Sequence, residues 1–477
     1  MTPVWEGTRA NFLPEGKTDM TTTELLRRVS PRHFSDYTPP EADARVRFSL
    51  KRILLEGTPS DIALRIMGTF ITPFALALKA TTPQIGLLTA LPYLVGALAQ
   101  LFTHRLVELA GSRKRFFLVA LLSSALVWVP IALLPWVFGS ARVWWLLGLV
   151  TLAITLFQLP SPAWGSWVSQ LLPANRRGRF VGARATLASL VGVVTVLAMG
   201  RLLDLMENRL FVGFSLVFFG AMLCRFVSLL LFLRVYEPAM PRESAPSPRL
   251  WESLRSLAGS DLGRFMFLNS LFQFSVCLAG PFFAVLMLRD LGFSYTTFSV
   301  LEIVSVGASL VGLQVWGRIA DRVGNARLLY MTAPLIGLFV LGWIFGQSPV
   351  YLAMVNVLTG FAWAGYGIGS LNFALEASGE EDRTRMLGYF NAFAGVGIFL
   401  GSLIGGFLAP LMPRIFGYSL LTLIMISGLL RLSTGLLMTL FVREVREGVK
   451  PSSRVRFTMP HLRLAPMLFW LIPPHRR

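Results

Sequence analysis

The sequence predicts an all-α polytopic membrane protein with twelve transmembrane helices in two pseudo-symmetric six-helix bundles. Three observations carry this. Only 14% of the residues are charged while 54% are hydrophobic, against roughly 25% charged in a soluble domain. A scan at the length that crosses the hydrocarbon core, about 20 apolar residues, finds twelve runs. At an offset of 206 residues, Arg177, Arg179, Gly182 and Arg225 fall on Arg383, Arg385, Gly388 and Arg431, so the halves read as a duplication. A parallel repeat of six helices is a transporter architecture, with the solute site near the midplane where the halves meet.

In order, the first six runs are 58–79, 84–103, 116–138, 143–164, 180–203 and 211–233. The second six are 265–288, 296–316, 328–345, 350–373, 386–409 and 415–442. They divide the chain into an N-terminal tail (1–57), a first bundle (58–233), a linker (234–264), a second bundle (265–442) and a C-terminal tail (443–477). The linker holds Pro238, Pro241, Pro246, Pro248 and five arginines, the composition of a solvated connection.

The formal charge of +19 is explained by topology and needs no nucleic acid. With both tails in the cytosol, the loops on that side hold 17 Lys and Arg and the opposite loops hold 6, counting Lys79 and Arg201 at span ends. That asymmetry obeys the positive-inside rule, and a plasma (cell inner) membrane is the expected location. The tails add 9 and 8 more. The first fifty residues lack an uninterrupted apolar stretch followed by a small-residue cleavage site, so no removable signal peptide is expected. Cys224 and Cys277 lie in apolar runs, which implies neither a disulfide framework nor a Cys-rich metal site. A monomer in the bilayer is expected.

The segment between runs 8 and 9 reads GRIADRVGNAR, from Gly317 to Arg327. It resembles the cytosolic loop motif of the major facilitator superfamily, G-x-x-x-D-R-x-G-x-x-R, at Gly317, Asp321, Arg322, Gly324 and Arg327. The corresponding loop of the first half is degraded. His104 and Glu108 replace the expected Gly and Asp, although Gly111 and Lys114 fit. The stretch PANRRGRFVG, from Pro173 to Gly182, is similar to the family's loop between helices 4 and 5. The resemblance covers residues 58 to 442. It implies twelve helices in two bundles, alternating access, and a cavity lined mainly by helices 1, 4, 7 and 10. The charged loop residues are then gating elements that pair in one conformation and separate in another. The plain alternative is that they anchor helix ends at the phosphate layer.

The helical spacing of those four runs places polar side chains on shared faces. Run 1 aligns Thr58, Asp61, Arg65, Thr69 and Thr72, and run 4 aligns Thr151, Thr155 and Gln158. Run 7 offers Asn269, Gln273 and Cys277; run 10 offers Asn356, Thr359, Trp363, Tyr366 and Ser370. Polar stripes in lipid turn toward protein or water. A common aqueous cavity accommodates all four, and interhelical hydrogen bonding is the competing reading for any single residue. The candidate solute-binding residues are Arg65, Thr69, Thr155, Gln158, Asn269, Gln273, Asn356, Trp363 and Tyr366.

Several charges sit inside the runs. Thr58-Pro59-Ser60-Asp61 has the form of a helix start, with Thr58 as cap and Asp61 at its third position. Arg65, one turn on, can pair with Asp61 or meet an anionic solute. Arg225 and Arg431 are deep enough to need partners, and their repeat symmetry argues for a matched structural role. Glu302 lies about 10 Å into run 8, with Ser299, Ser305 and Ser309 on a similar face. It is either a buried protonated acid or a proton-coupling carboxylate, with Asp61 the next acid to consider. Gly365, Gly367 and Gly369 form no nucleotide loop, because no strand precedes them. Gly397, Gly401 and Gly405 repeat every four residues as a face for close helix contact. Residues Met467 to Ile472 are too short to span and can rest in the interface.

The pattern points to a secondary active transporter of a small organic solute, proton-coupled, working by rocking of two halves. No cofactor or metal is expected. A membrane-embedded enzyme is disfavoured because the four histidines, His33, His104, His461 and His475, show neither metal-ligand nor triad spacing. A solute sensor that keeps the fold without net transport is the alternative.

Overall fold

Twelve helices long and apolar enough to cross a membrane stand in the computed structural model, which describes residues 44–238, 259–378 and 383–442 apart from positions 101, 138 and 173, with 255 and 257 as isolated residues. They are α1 (Ala44–Ala77), α2 (Thr82–Gln100), α3 (Arg113–Val137), α4 (Arg142–Gly165), α5 (Phe180–Leu205) and α6 (Glu207–Leu233), then α7 (Asp261–Asp290), α8 (Tyr295–Val323), α9 (Asn325–Ile344), α10 (Pro349–Glu376), α11 (Met386–Leu411) and α12 (Ser419–Phe441). Among the described residues there is no strand, only one isolated bridge between Ile415 and Tyr418.

Local chemistry sets several boundaries. Ser260, Ser294 and Ser348 precede α7, α8 and α10, and their hydroxyls accept the N–H of Gly263, Thr297 and Tyr351. These bonds satisfy donors that the first helical turn leaves open. Gly324 at φ 90° separates α8 from α9, a conformation that favours glycine. The Gly317–Arg327 motif is therefore mostly the end of α8, with Asp321 and Arg322 exposed.

The first helix departs from the expected start at Thr58. It is continuous from Ala44, with Pro59 and Pro73 inside it, so Thr58 caps nothing and Asp61 is a mid-helix residue. A hydropathy scan ends at the charged residues Arg45, Arg47, Lys51 and Arg52. The extension is amphipathic, and Leu50 and Ile53 bury against Phe117, Trp167, Phe180 and Phe232. That packing holds helix in a stretch too polar to read as a span. The tails 1–43 and 443–477, most of the linker, and the Met467–Ile472 segment fall outside the described residues, as do the side chains of Arg177, Arg179, Arg383 and Arg385.

Glycine faces bring helices close. The backbone of α7 lies against Gly397, Gly401 and Gly405 through the carbonyls of Ser270, Phe274 and Leu278. A Cβ at any of the three would collide with those oxygens, which explains the four-residue repeat. Gly360 of α10 faces the Ser305 carbonyl of α8 in the same way.

The halves meet unequally at their two ends. On one side a single apolar cluster joins them, with Phe70, Phe74, Phe214 and Phe218 of the first half packed with Phe282, Val285, Leu286 and Leu421 of the second. Gly86 of α2 abuts Ser402 and Gly406 of α11 there. Toward the face that carries Gly317–Arg327, the apolar clusters are separate, two in the second half and two in the first. The molecule is closed at one end and parted at the other.

Candidate functional site

A cavity of about 500 Å³ lies between the halves on the parted side. Its walls are Tyr93, Ala97 and Gln100 of α2, Phe157, Gln158 and Ser161 of α4, Asn269 and Gln273 of α7, Trp363, Tyr366 and Ser370 of α10, and Phe390, Asn391 and Ala394 of α11. Among the described residues no Asp, Glu, Lys, Arg or His lines it.

Local structure aims these side chains. Pro160 lacks an N–H, and α4 turns at Leu159–Pro160 before helix resumes at Ser161. The hydroxyl of Thr103 donates to the Leu159 carbonyl at 2.8 Å, replacing a bond lost at the break. The break sits beside Gln158, to which Gln100 donates at 3.4 Å. Gly96 leaves room for that amide, since a Cβ there would strike the Gln158 nitrogen. Across the cavity, Tyr366 donates to Asn269 Oδ1 at 2.6 Å, and Phe272 and Trp363 pack on the Tyr366 ring. Asn269 is 2% exposed, and its Nδ2 has no hydrogen-bond partner; Gln273 Oε1 is likewise buried and unpartnered. Buried polar atoms of this kind are costly unless something satisfies them.

A second cavity of about 240 Å³ lies within the second half and shares Trp363 with the first. Glu302, Ser305, Asn356, Thr359, Trp343 and Arg431 are among its walls. The Glu302 side chain is exposed to this space and makes no hydrogen bond to any described residue. Asn356 donates to the Leu301 carbonyl at 3.1 Å. Ser299 and Ser309 turn elsewhere: Ser299 is fully buried against Gly200 of α5, and Ser309 donates to the Gly360 carbonyl.

The sequence-derived candidates thus divide. Gln158, Asn269, Gln273, Trp363 and Tyr366 come together on the larger cavity, and Asn356 joins Trp363 on the smaller one. Arg65, Thr69 and Thr155 line neither. Arg65 pairs with Asp61 at 2.5 Å and donates to Ser189 of α5 at 2.9 Å, so both charges sit at the α1–α5 contact. Tyr93, Gln100, Phe157, Ser161, Phe390 and Asn391 went unread, although Gln100 and Asn391 are amides in apolar runs and could have been noticed on that ground. The wall they form belongs largely to α2 and α11, and α1 contributes none.

The in-span arginines are satisfied within their own halves. Arg225 donates to Ser124 at 2.8 and 3.0 Å and to Ser60 at 3.3 Å. Arg431 donates to Ser427 at 3.1 Å and to the Val276 carbonyl at 2.9 Å. Arg184 pairs at 3.0 Å with Glu56, which is 2% exposed and lies in the unforeseen part of α1. At the Gly317–Arg327 motif, Asn325 donates to Glu376 at 2.8 Å, a tie between the start of α9 and the end of α10 that the motif spacing did not indicate. Among the described residues no cluster of His, Cys, Asp and Glu could hold a metal ion.

Comparison with known proteins agrees with this architecture. The family model described as Major Facilitator Superfamily matches residues 59–280 and 265–473. The chain is 26% identical over 335 residues to the "Multi-drug resistance efflux pump PmrA homolog" of Lactococcus lactis, a match covering 68% of this chain and 78% of the relative. Its fold is similar to the nucleoside transporter NupG, with a TM-score of 0.64 at 10% identity over 82% of this chain and 98% of that one. It is also similar to a D-xylose-proton symporter, with a TM-score of 0.61 at 16% identity over 84% and 98%. Two bundles joined at one end, a cavity between them at the other, and a family model that spans both halves lead to one conclusion: the chain belongs to the Major Facilitator Superfamily and is a multi-pass membrane transporter.

Proposed function

We propose that this transporter moves a small organic solute by alternating access, driven by protons taken up and released at Glu302, with both termini in the cytosol of a cell inner membrane. The single observation that carries the reading is the polar cavity of about 500 Å³ between two halves that a shared apolar cluster joins at the far end. A pocket of that size is in the range of small-molecule sites, and its position matches a carrier waiting on one side. The basic loops mark the parted side as cytosolic by the positive-inside rule. Glu302 supports proton coupling because it is an acid inside a membrane span, facing a cavity and unengaged by any neighbour. Arg431 lines the same cavity. The solute and the protons are the working partners, the bilayer is the environment, and one chain forms the complete cavity. The named function of the PmrA homolog is consistent with transport of an organic compound.

Saturable solute flux in proteoliposomes tests the reading, with an imposed pH gradient compared against gradient-free exchange. Flux in both arms, with accumulation only under the gradient, is the expected result. Solute binding without flux in either arm would instead identify a sensor.

A further inference from the structure

The larger cavity has a chemical signature on its α7 wall. Asn269 and Gln273 are one helical turn apart, on the same face. The Tyr366 hydroxyl occupies Asn269 Oδ1, which leaves the Nδ2 donor without a partner, while Gln273 leaves an unpartnered acceptor, its Oε1. A donor and an acceptor side by side, both buried, are complementary to a group that presents an acceptor and a donor side by side. That is the edge of a cis-amide: a carbonyl next to an N–H.

The rest of the wall restricts the molecule that bears this edge. With no Asp, Glu, Lys, Arg or His among the described lining residues, that wall offers no counter-charge, and an ionic solute would give up water without recovering a partner there. Trp363, Tyr93 and Phe390 offer flat apolar surface, which suits a planar ring. Resting on the transport reading above, we infer that the solute is an uncharged planar lactam or cyclic imide whose carbonyl accepts from Asn269 and whose N–H donates to Gln273.

Methylating the N–H is the sharpest test, because it removes the donor and leaves Gln273 Oε1 buried and unpaired. Quinolin-2-one and its N-methyl analogue serve as the probe pair, with tetraphenylphosphonium as an organic cation. Purified full-length protein is titrated with each while its melting temperature is followed, since a ligand of the native state raises it. Quinolin-2-one is expected to stabilise the protein at concentrations about 10- to 100-fold lower than the N-methyl compound. In Gln273→Leu that preference should vanish. The wild-type comparison needs no variant, so misfolding of Gln273→Leu cannot obscure it. Equal stabilisation by the lactam and its methylated form would overturn the assignment, as would stabilisation by tetraphenylphosphonium alone. Failure of the lactam with saturable flux of the cation would reject the solute class and keep transport. Selective binding of the lactam with no flux of it would keep the site and reject transport.

Discussion

Asp204, at the last turn of α5, accepts the backbone N–H of Tyr295 at 2.8 Å and of Thr296 at 2.9 Å. A carboxylate from the first half thereby caps the helix that begins α8 in the second half. Helix N-termini favour such negative charge, and the bond exists only while the halves touch at that end. Asp204→Ala should cost the closed arrangement about 1 kcal/mol, close to a fivefold change in the balance of states. Reaction of a thiol reagent with Ser299→Cys, on α8 and fully buried against Gly200 of α5, should speed up by about that factor. An unchanged labelling rate would show that the cap is incidental.

Gly86 meets Ser402 and Gly406 from the opposite half. A larger side chain there acts on the junction while leaving each bundle intact. Gly86→Leu should favour separation at that end and raise the labelling of solvent probes placed along it, with melting temperature little altered. A large drop in stability with no labelling change would assign Gly86 to packing alone.

The exposed Asp321 lies at the far end of α8, away from both cavities. Asp321→Asn should alter the access equilibrium and leave solute affinity in a locked state unchanged. Identical thiol labelling on both membrane sides in mutant and parent would remove this residue from gating.

Arg225→Leu and Arg431→Leu should each lower expression and melting temperature. Each truncation strands hydroxyls or carbonyls that the guanidinium engages, at a cost of about 2–4 kcal/mol. Unaltered stability with abolished flux would move them to the solute path.

Glu302→Gln keeps shape and hydrogen-bonding capacity but cannot carry a proton. Accumulation under a pH gradient should be lost while gradient-free exchange persists. Gradient-driven accumulation at the parental level would exclude Glu302 as the carrier and pass the question to Asp61, already paired with Arg65.

How far these features were legible in the sequence depends on what surrounds each polar face. Span lengths, the duplication and the α10 stripe are local properties, and Trp363 and Tyr366 stand where their spacing put them. Arg65 and Thr155 share a face with cavity-like neighbours by the same arithmetic, yet Arg65 meets Asp61 and Ser189 instead. Helical spacing gives a direction, and only the neighbouring helix decides whether that direction holds water or protein. The Asp204 cap needs two segments about ninety residues apart to meet, which no periodicity encodes. The start of α1 was missed because Arg47 and Lys51 lower its hydropathy, while its hold on the bundle comes from Leu50 and Ile53.

That early start also makes α1 a pointer. Fourteen residues separate Ala44 from Thr58, about 21 Å of unbroken helix at 1.5 Å per residue, seated on Phe117, Trp167 and Phe180 of its own bundle. A rigid arm of that length magnifies rotation, and each 10° of bundle tilt would carry its tip about 4 Å. A spin label at the exposed Arg47, paired with one on the second half at Arg322, would therefore read the turnover cycle as a distance.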